Sequence, residues 1–276
     1  MDYTEFIEAM LVEVRKHIPA DVTVDRHAAV KNNGTVRVGL VLMRQGINMS
    51  PTIYLEEFYE QYLEGAGLLE LARTLAALYE KVKVAESYPC GDIFSYQKVR
   101  DRIVYKLIQR KMNEELLRQV PYSEYLDLAV VFYVLLEGSA FGTATLLVRN
   151  EHLCQWNTTR EEISEAARKN TPRLLPGTIE QLANYMYVLS NQKRNMGAAA
   201  MLYPDIMGEA ESLIGENFYI LPSSIHEVIL IPESHGVNRE QLKSMVEEIN
   251  KTEVEPEDVL SDSVYYYSGK EGRILQ

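Results

Sequence analysis

An α+β fold, with mixed or antiparallel sheets and helices packed on them, is what the sequence predicts. Strand-like and helix-like segments alternate irregularly and hairpin signals recur, a pattern at odds with the regular alternation of a doubly wound sheet. Two helices that end alike, at Lys169-Asn170-Thr171 and at Asn250-Lys251-Thr252, each follow a strand pair. They hint at duplicated β-β-α units in the C-terminal two thirds.

Taken in order, Tyr3, Phe6, Ile7, Met10, Leu11, Val14 and Ile18 repeat at three and four, so one amphipathic helix is expected to run up to Pro19. Val22–Val30 and Thr35–Arg44 read as strands around Asn32-Asn33-Gly34, a strong hairpin signal. An acidic helix follows over Glu56–Glu64 and breaks at Gly65 and Gly67. The next helix, ending near Lys83, carries Leu68, Leu71, Leu75, Leu78 and Val82 at helical spacing. Val84–Ser95, with Pro89 and Gly91, reads as a linker, which divides the chain into regions 1–84 and 96–276 unless the two form one continuous domain.

Beyond the linker, Arg102–Gln109 alternates as a strand does, and Asn113 is placed to cap a short helix before Pro121. Tyr125–Leu136 is almost wholly apolar, with Asp127 inside it, and reads as a central strand buried on both faces. Glu137–Phe141 is expected to turn it into a partner over Gly142–Arg149. Thr158 and Thr159 offer overlapping capping boxes for a helix that Thr171-Pro172 should stop. A loop through Gly177, a strand over Tyr185–Leu189 and a helical stretch over Gly197–Leu213, interrupted by Pro204, come next.

Two short apolar runs, Phe218–Leu221 and Val228–Ile231, then flank a polar insert and read as buried strands, with Pro222 and Pro232 at their ends. Asn238 with Gln241 makes a capping box, and Val237 with Leu242 a hydrophobic staple. Leu242, Met245, Val246 and Ile249 are expected to face the core. Val259–Tyr267 reads as a last strand and the tail from Ser268 as loose.

Composition narrows the function. The chain has 276 residues, enough to bury a core without disulfides or metal. Its formal net charge of −12 repels phosphate backbones and anionic lipid, so neither general nucleic-acid binding nor membrane binding is expected. Cys90 and Cys154 lie far apart and outside any CxxC, so free thiols in a reducing compartment are expected. The N-terminal segment opens with acids and is amphipathic, unlike a signal peptide, and no apolar run approaches membrane-spanning length. A soluble, cytoplasmic protein follows as the expectation.

The densest set of reactive side chains is the polar insert itself. Ser223 or Ser224 as nucleophile, His226 as base, and Glu227 or Asp262 to orient the histidine are the candidates for catalysis. The plainer reading is a turn in which Pro-Ser-Ser hydroxyls bond nearby backbone, and the chain has no GxSxG elbow. Asn191, Lys193 and Arg194, between a strand and a helix start, are candidates for holding an anion; the plainer reading there is a solvated loop. The five histidines are scattered without ligand spacing, so no metal and no cofactor are expected.

Six phrases carry a resemblance: Met49–Leu55, Asp101–Leu107, Asn170–Leu175, Gly197–Ala200, Leu221–Val228 and Val259–Tyr265. Together they resemble a bacterial family known as domain of unknown function 5688, over nearly the whole chain. The C-terminal half is more faintly similar to domain of unknown function 1444, in which a proline, a polar residue and a histidine also precede an apolar strand and a helix. The resemblance implies a compact bacterial cytoplasmic protein and carries no activity or cofactor. The function expected is therefore non-catalytic binding of another protein or a small ligand, with a hydrolase or transferase using Ser224 and His226 as the alternative.

Overall fold

A computed structural model describes residues 1–87, 90–138 and 142–276. The chain forms two compact units, one of Met1–Lys31, Thr35–Cys90 and Glu137–Ala144, the other of Asn32–Gly34, Gly91–Leu136 and Thr145–Gln276. All three sheets are antiparallel, and with the helices they make an α+β protein.

In the first unit, α1 (Tyr3–Val14) starts at a capping box in which Asp2 and Glu5 exchange side-chain-to-backbone bonds. It ends four residues short of Ile18. β1 (Val22–Val30) and β2 (Val36–Arg44) pair in register from Val22↔Arg44 to Val30↔Val36, as the Asn-Asn-Gly signal implies, and β3 (Thr52–Tyr54) adds a third strand. α2 (Glu56–Leu63) and α3 (Leu68–Val82) follow.

The buried face of α3 is Leu71, Ala72, Leu75 and Tyr79, whereas Leu78 and Val82 are exposed. The helix is therefore turned from the expected leucine stripe. Small Ala72 allows α1 to approach, and the Tyr79 ring supplies the area that Leu78 and Val82 do not. Glu56 ties three elements together: its carboxylate accepts from the Tyr3 hydroxyl at 2.9 Å and the Val38 N–H at 2.7 Å, and it pairs with Arg37.

The second unit holds α4 (Tyr96–Val99), β4 (Ile103–Gln109), α5 (Glu114–Leu117), β5 (Tyr122–Tyr125), β6 (Leu128–Gly138) as far as Leu136, and β7 (Gly142–Leu147) from Thr145. β6 is the central strand between β4 and β5, with β7 also paired to it, and it is buried along most of its described length. The single strand expected over Tyr125–Leu136 is instead a hairpin. Tyr125 pairs with Leu128, and Leu126 takes φ +53° to close a two-residue loop with Asp127. No Gly or Asn marks that loop, and apolar residues continue across it, so the pattern reads as unbroken. The turn expected at Glu137–Phe141 lies largely outside the described residues. Asn113 does not cap α5; its side chain bonds the Gln109 carbonyl and Asn33 instead.

After α6 (Asn150–Trp156), α7 (Arg160–Leu174) starts at the Thr159–Glu162 capping box and runs through Pro172 rather than stopping there. The Thr171 hydroxyl donates to the Ala167 carbonyl at 2.6 Å, and the Leu175 N–H reaches the Thr171 carbonyl, so the last turn stays bonded around the proline.

A six-stranded sheet completes the unit, in the order β13-β12-β10-β11-β9-β8. Its strands are β8 (Gly177–Ala183), β9 (Met186–Asn191), β10 (Phe218–Leu221), β11 (Val228–Pro232), β12 (Tyr265–Ser268) and β13 (Arg273–Leu275). α8 (Ile206–Ile214) and α9 (Arg239–Thr252) are its helices. Two of these strands were not expected: β8, where a loop through Gly177 was read, and β13, where a loose tail was read. Both are edge strands, short or polar enough to lack strand patterning. The expected strand Val259–Tyr267 shortens to β12, because residues 259–263 run along the β10–β11 loop: the Leu260 N–H bonds the Ser223 carbonyl and the Ser261 N–H the Pro222 carbonyl.

One face of β10–β11 carries Phe218, Ile220, Val228 and Leu230, all fully buried. On the other face, Tyr219, Leu221, Ile229 and Ile231 pack with Leu242 and Val246 of α9. Met245 and Ile249, expected in the core with them, are exposed at 42% and 38%.

Candidate functional site

Pro222–Glu227 is the connection between β10 and β11, which fixes where the candidate nucleophile and base stand. The Ser224 Oγ accepts from the His226 N–H at 3.1 Å, a local hydroxyl-to-backbone bond of the kind that shapes turns. The imidazole is engaged on both sides by other groups. Nδ1 accepts from the Met196 N–H at 3.2 Å, and Nε2 lies 3.2 Å from Asp258 Oδ1. With Nδ1 accepting, the ring proton sits on Nε2 and points at the carboxylate. The ring is thus oriented by an acid, as a catalytic base would be, but neither nitrogen is bonded to the Ser224 hydroxyl. The acid is Asp258, which the sequence did not single out. Asp262 instead accepts from the Asn250 side chain at 2.8 Å, while Glu227 lines a groove described below.

The second candidate stretch is brought against the first. The Ser190 hydroxyl donates to the His226 carbonyl at 2.7 Å, the Met196 N–H to its ring, and the Ala198 N–H to the Ile225 carbonyl. Gly197 sits in this contact so tightly that an added Cβ would lie 2.2 Å from the Ser190 Oγ and 2.6 Å from the His226 carbonyl. Asn191 is fully buried and shapes its own loop: its Oδ1 accepts from the Lys193 N–H, and its amide donates to the Asn195 carbonyl. Arg194 pairs with Glu180 at 2.5 Å across β8, and Lys193 is exposed. The three anion candidates therefore do not converge on one point.

What the hairpin, α9 and the loop after α9 do enclose is a groove of about 470 Å³. Its floor is apolar: Leu221, Ile229 and Ile231 from the hairpin, Met186 from β9, Met245 and Ile249 from α9, and Val254. Its rim holds Ser223, Ser224, Glu227, Glu253, Glu255 and Asp258, with no lysine or arginine. Register explains the opening. Leu221 pairs with Ile229 and Ile229 with Val188, so one apolar row crosses β10, β11 and β9. α9 covers the β10–β11 part of that row and leaves Met186 at its side. Asn32 and Asn33 hold the loop behind the rim, donating to the carbonyls of Glu257, Pro256 and Val259. A larger cleft, about 1080 Å³, lies elsewhere on the same unit, lined by Tyr203, Asp205, Glu209, Tyr267 and Arg273 among others.

A third cluster was invisible in the sequence. Asp127, in the β5–β6 turn, accepts from the Ser261 hydroxyl at 2.6 Å, the Ser263 hydroxyl at 3.0 Å and the Tyr265 hydroxyl. Burial, and then the bond to Asp127, push the Tyr265 hydroxyl far above the ordinary phenol range, so it stays protonated and donates. Ser261 and Tyr265 are fully buried, and the cluster fastens the β5–β6 turn to the segment that leads into β12. Among the described residues no group of three or more His, Cys, Asp or Glu side chains is placed to hold a metal ion, and no helix is long and apolar enough to cross a membrane. Cys154 is an exposed free thiol; the Cys90 side chain lies outside the described residues.

These features define an α+β protein whose main antiparallel sheet carries an open, acid-rimmed groove beside its last helix. The chain belongs to a family of unknown function, DUF5688, whose model matches residues 3–186 and 183–269. The fainter likeness to domain of unknown function 1444 stays a resemblance only. No curated protein and no solved structure matches the chain.

Proposed function

We propose that this is a non-catalytic binding protein whose ligand face is the groove between the β10–β11 hairpin and α9. One observation carries the reading: Met245 and Ile249 stand 42% and 38% exposed on a helix whose neighbouring Leu242 and Val246 are almost fully buried. Both open residues point to the same apolar floor. An apolar concavity with a few polar groups at its rim is the usual form of a ligand site, and its size falls within the range of such sites. The hydrolase or transferase reading gains nothing from the arrangement, because a nucleophile needs its base within hydrogen-bond reach and the His226 ring is bonded to Met196 and Asp258.

The test is methyl NMR of protein labelled at methionine and isoleucine, titrated with indole as a neutral apolar probe. Shifts at Met186, Met245, Ile229 and Ile249 are expected. Shifts confined to Met201, Met207 and Ile274 around the larger cleft would overturn the assignment of the groove.

A further inference from the structure

The groove's rim says what kind of occupant suits it. Glu227, Glu253 and Glu255 stand around an apolar floor, and among the described residues none of the three has an ion-pair partner. Asp258, the fourth acid, is shared with His226. Some carboxylates elsewhere on the surface are paired, for example Glu80 with Lys83, Glu165 with Lys169 and Glu180 with Arg194. Unpaired carboxylates beside exposed apolar side chains disfavour an anionic guest and favour a cationic, amphipathic one. The opening is bordered by one turn of α9 from Met245 to Ile249 and by the strand residues Met186, Ile229 and Ile231. An apolar floor beneath an acidic rim suits a peptide that presents apolar side chains to the floor and lysines or arginines to the rim.

Resting on the groove reading above, we infer that the occupant is a short basic amphipathic segment of a partner protein. The same acids exclude an anionic membrane surface, which would be repelled. Recognition then divides between the two parts of the groove. Met245 and Ile249 contribute apolar contact, and Glu227, Glu253 and Glu255 contribute charge selection and salt dependence.

The experiment titrates the full chain with a fluorescent synthetic peptide of leucine and lysine in amphipathic order, with the same peptide carrying glutamate for lysine, and with benzyltrimethylammonium as a small apolar cation. Three variants accompany the parent: Glu227→Gln with Glu253→Gln and Glu255→Gln; a control of equal charge change, Glu60→Gln with Glu64→Gln and Glu86→Gln, at exposed positions outside the groove; and Met245→Ser with Ile249→Ser.

The basic peptide is expected to bind with an affinity that falls as salt rises, and the acidic peptide is not. The groove triple should weaken the basic peptide about tenfold and the control triple by less than about twofold. No binding by the basic peptide up to about 1 mM overturns the inference. Equal losses in the two triples also overturn it, because they mean attraction to net charge alone. Equal affinity for benzyltrimethylammonium overturns the peptide in favour of a small cation. If the serine pair abolishes binding and the groove triple leaves it unchanged, the groove reading stands and the basic occupant falls. If neither changes binding, the groove reading falls as well.

Discussion

Asp127 offers the sharpest prediction about how this fold is held together. Its carboxylate accepts three hydroxyls, and two of the donors, Ser261 and Tyr265, are fully buried. A hydrogen bond to a charged group contributes about 1.5–3 kcal/mol, and a buried donor left without an acceptor costs about 1–3 kcal/mol. Asp127→Ala strands both buried donors at once. Desolvation of the carboxylate offsets part of the gain in the parent, so the expected net loss is about 3 kcal/mol, a large part of a typical domain's stability of about 5–15 kcal/mol. Tyr265→Phe removes one donor and its partner keeps two, so about 1–2 kcal/mol is expected. Ser263→Ala, at the less buried edge of the cluster, should cost about 1 kcal/mol or less. Trp156, the only tryptophan and itself buried in the same unit, reports the transition by fluorescence in urea. The expected order is Asp127→Ala, then Tyr265→Phe, then Ser263→Ala, with unchanged m-values. A double-mutant cycle on Asp127 and Tyr265 should give a coupling of about 1 kcal/mol or more. If Asp127→Ala unfolds within about 0.5 kcal/mol of the parent, or no earlier than Ser263→Ala, the brace is incidental and the reasoning fails.

Other outcomes follow from the same structure. Burial acts to raise the Glu56 carboxyl, but the Val38 N–H, the Tyr3 hydroxyl and Arg37 outweigh it, leaving its pKa below the ordinary glutamate value. Its stabilisation is therefore present above about pH 4.3 and lost as pH falls through the lowered value, so Glu56→Gln should flatten the acid limb of stability measured by circular dichroism. Leu230 is fully buried, and Leu230→Ala should cost about 2–5 kcal/mol, while Ser224→Ala, which removes one turn bond, should cost about 1 kcal/mol at most; equal urea midpoints for the two would contradict the packing described. At Gly197, where a Cβ would collide with Ser190, Asn191 and the His226 carbonyl, Gly197→Ala should lower stability by more than about 1 kcal/mol, and a neutral result would mean that the two loops part readily.

Much of this architecture was legible because local chemistry and tertiary packing agree. Asn32-Asn33-Gly34 marked the β1–β2 hairpin, and the capping boxes at Thr159 and Asn238 marked the starts of α7 and α9. Where the reading erred, the deciding contact was distant in sequence. The Leu126-Asp127 turn needs no glycine, because Leu126 itself takes the positive φ and Asp127 is held by residues far along the chain. α3 buries Ala72 and Tyr79 beside Leu71 and Leu75 and leaves Leu78 and Val82 exposed, a rotation that leucine spacing alone does not mark. β8 and β13 are edges, with little burial pattern to read. The Ser224–His226 stretch was legible as a polar insert between two strands, but the acid beside His226, Asp258, comes from the loop beyond α9. The groove gathers residues from Met186 to Asp258, so only folding assembles it; the one trace in sequence is the pair of α9 apolar residues that packing leaves uncovered.

The central claim is that this groove is where the protein binds, and isotope-filtered NOE spectroscopy tests it most directly. With labelled protein and unlabelled leucine–lysine peptide, contacts are expected between peptide methyls and Met186, Ile229, Met245 and Ile249. Contacts confined to Met201, Met207 and Ile274 of the larger cleft, with those four methyls silent, would contradict it.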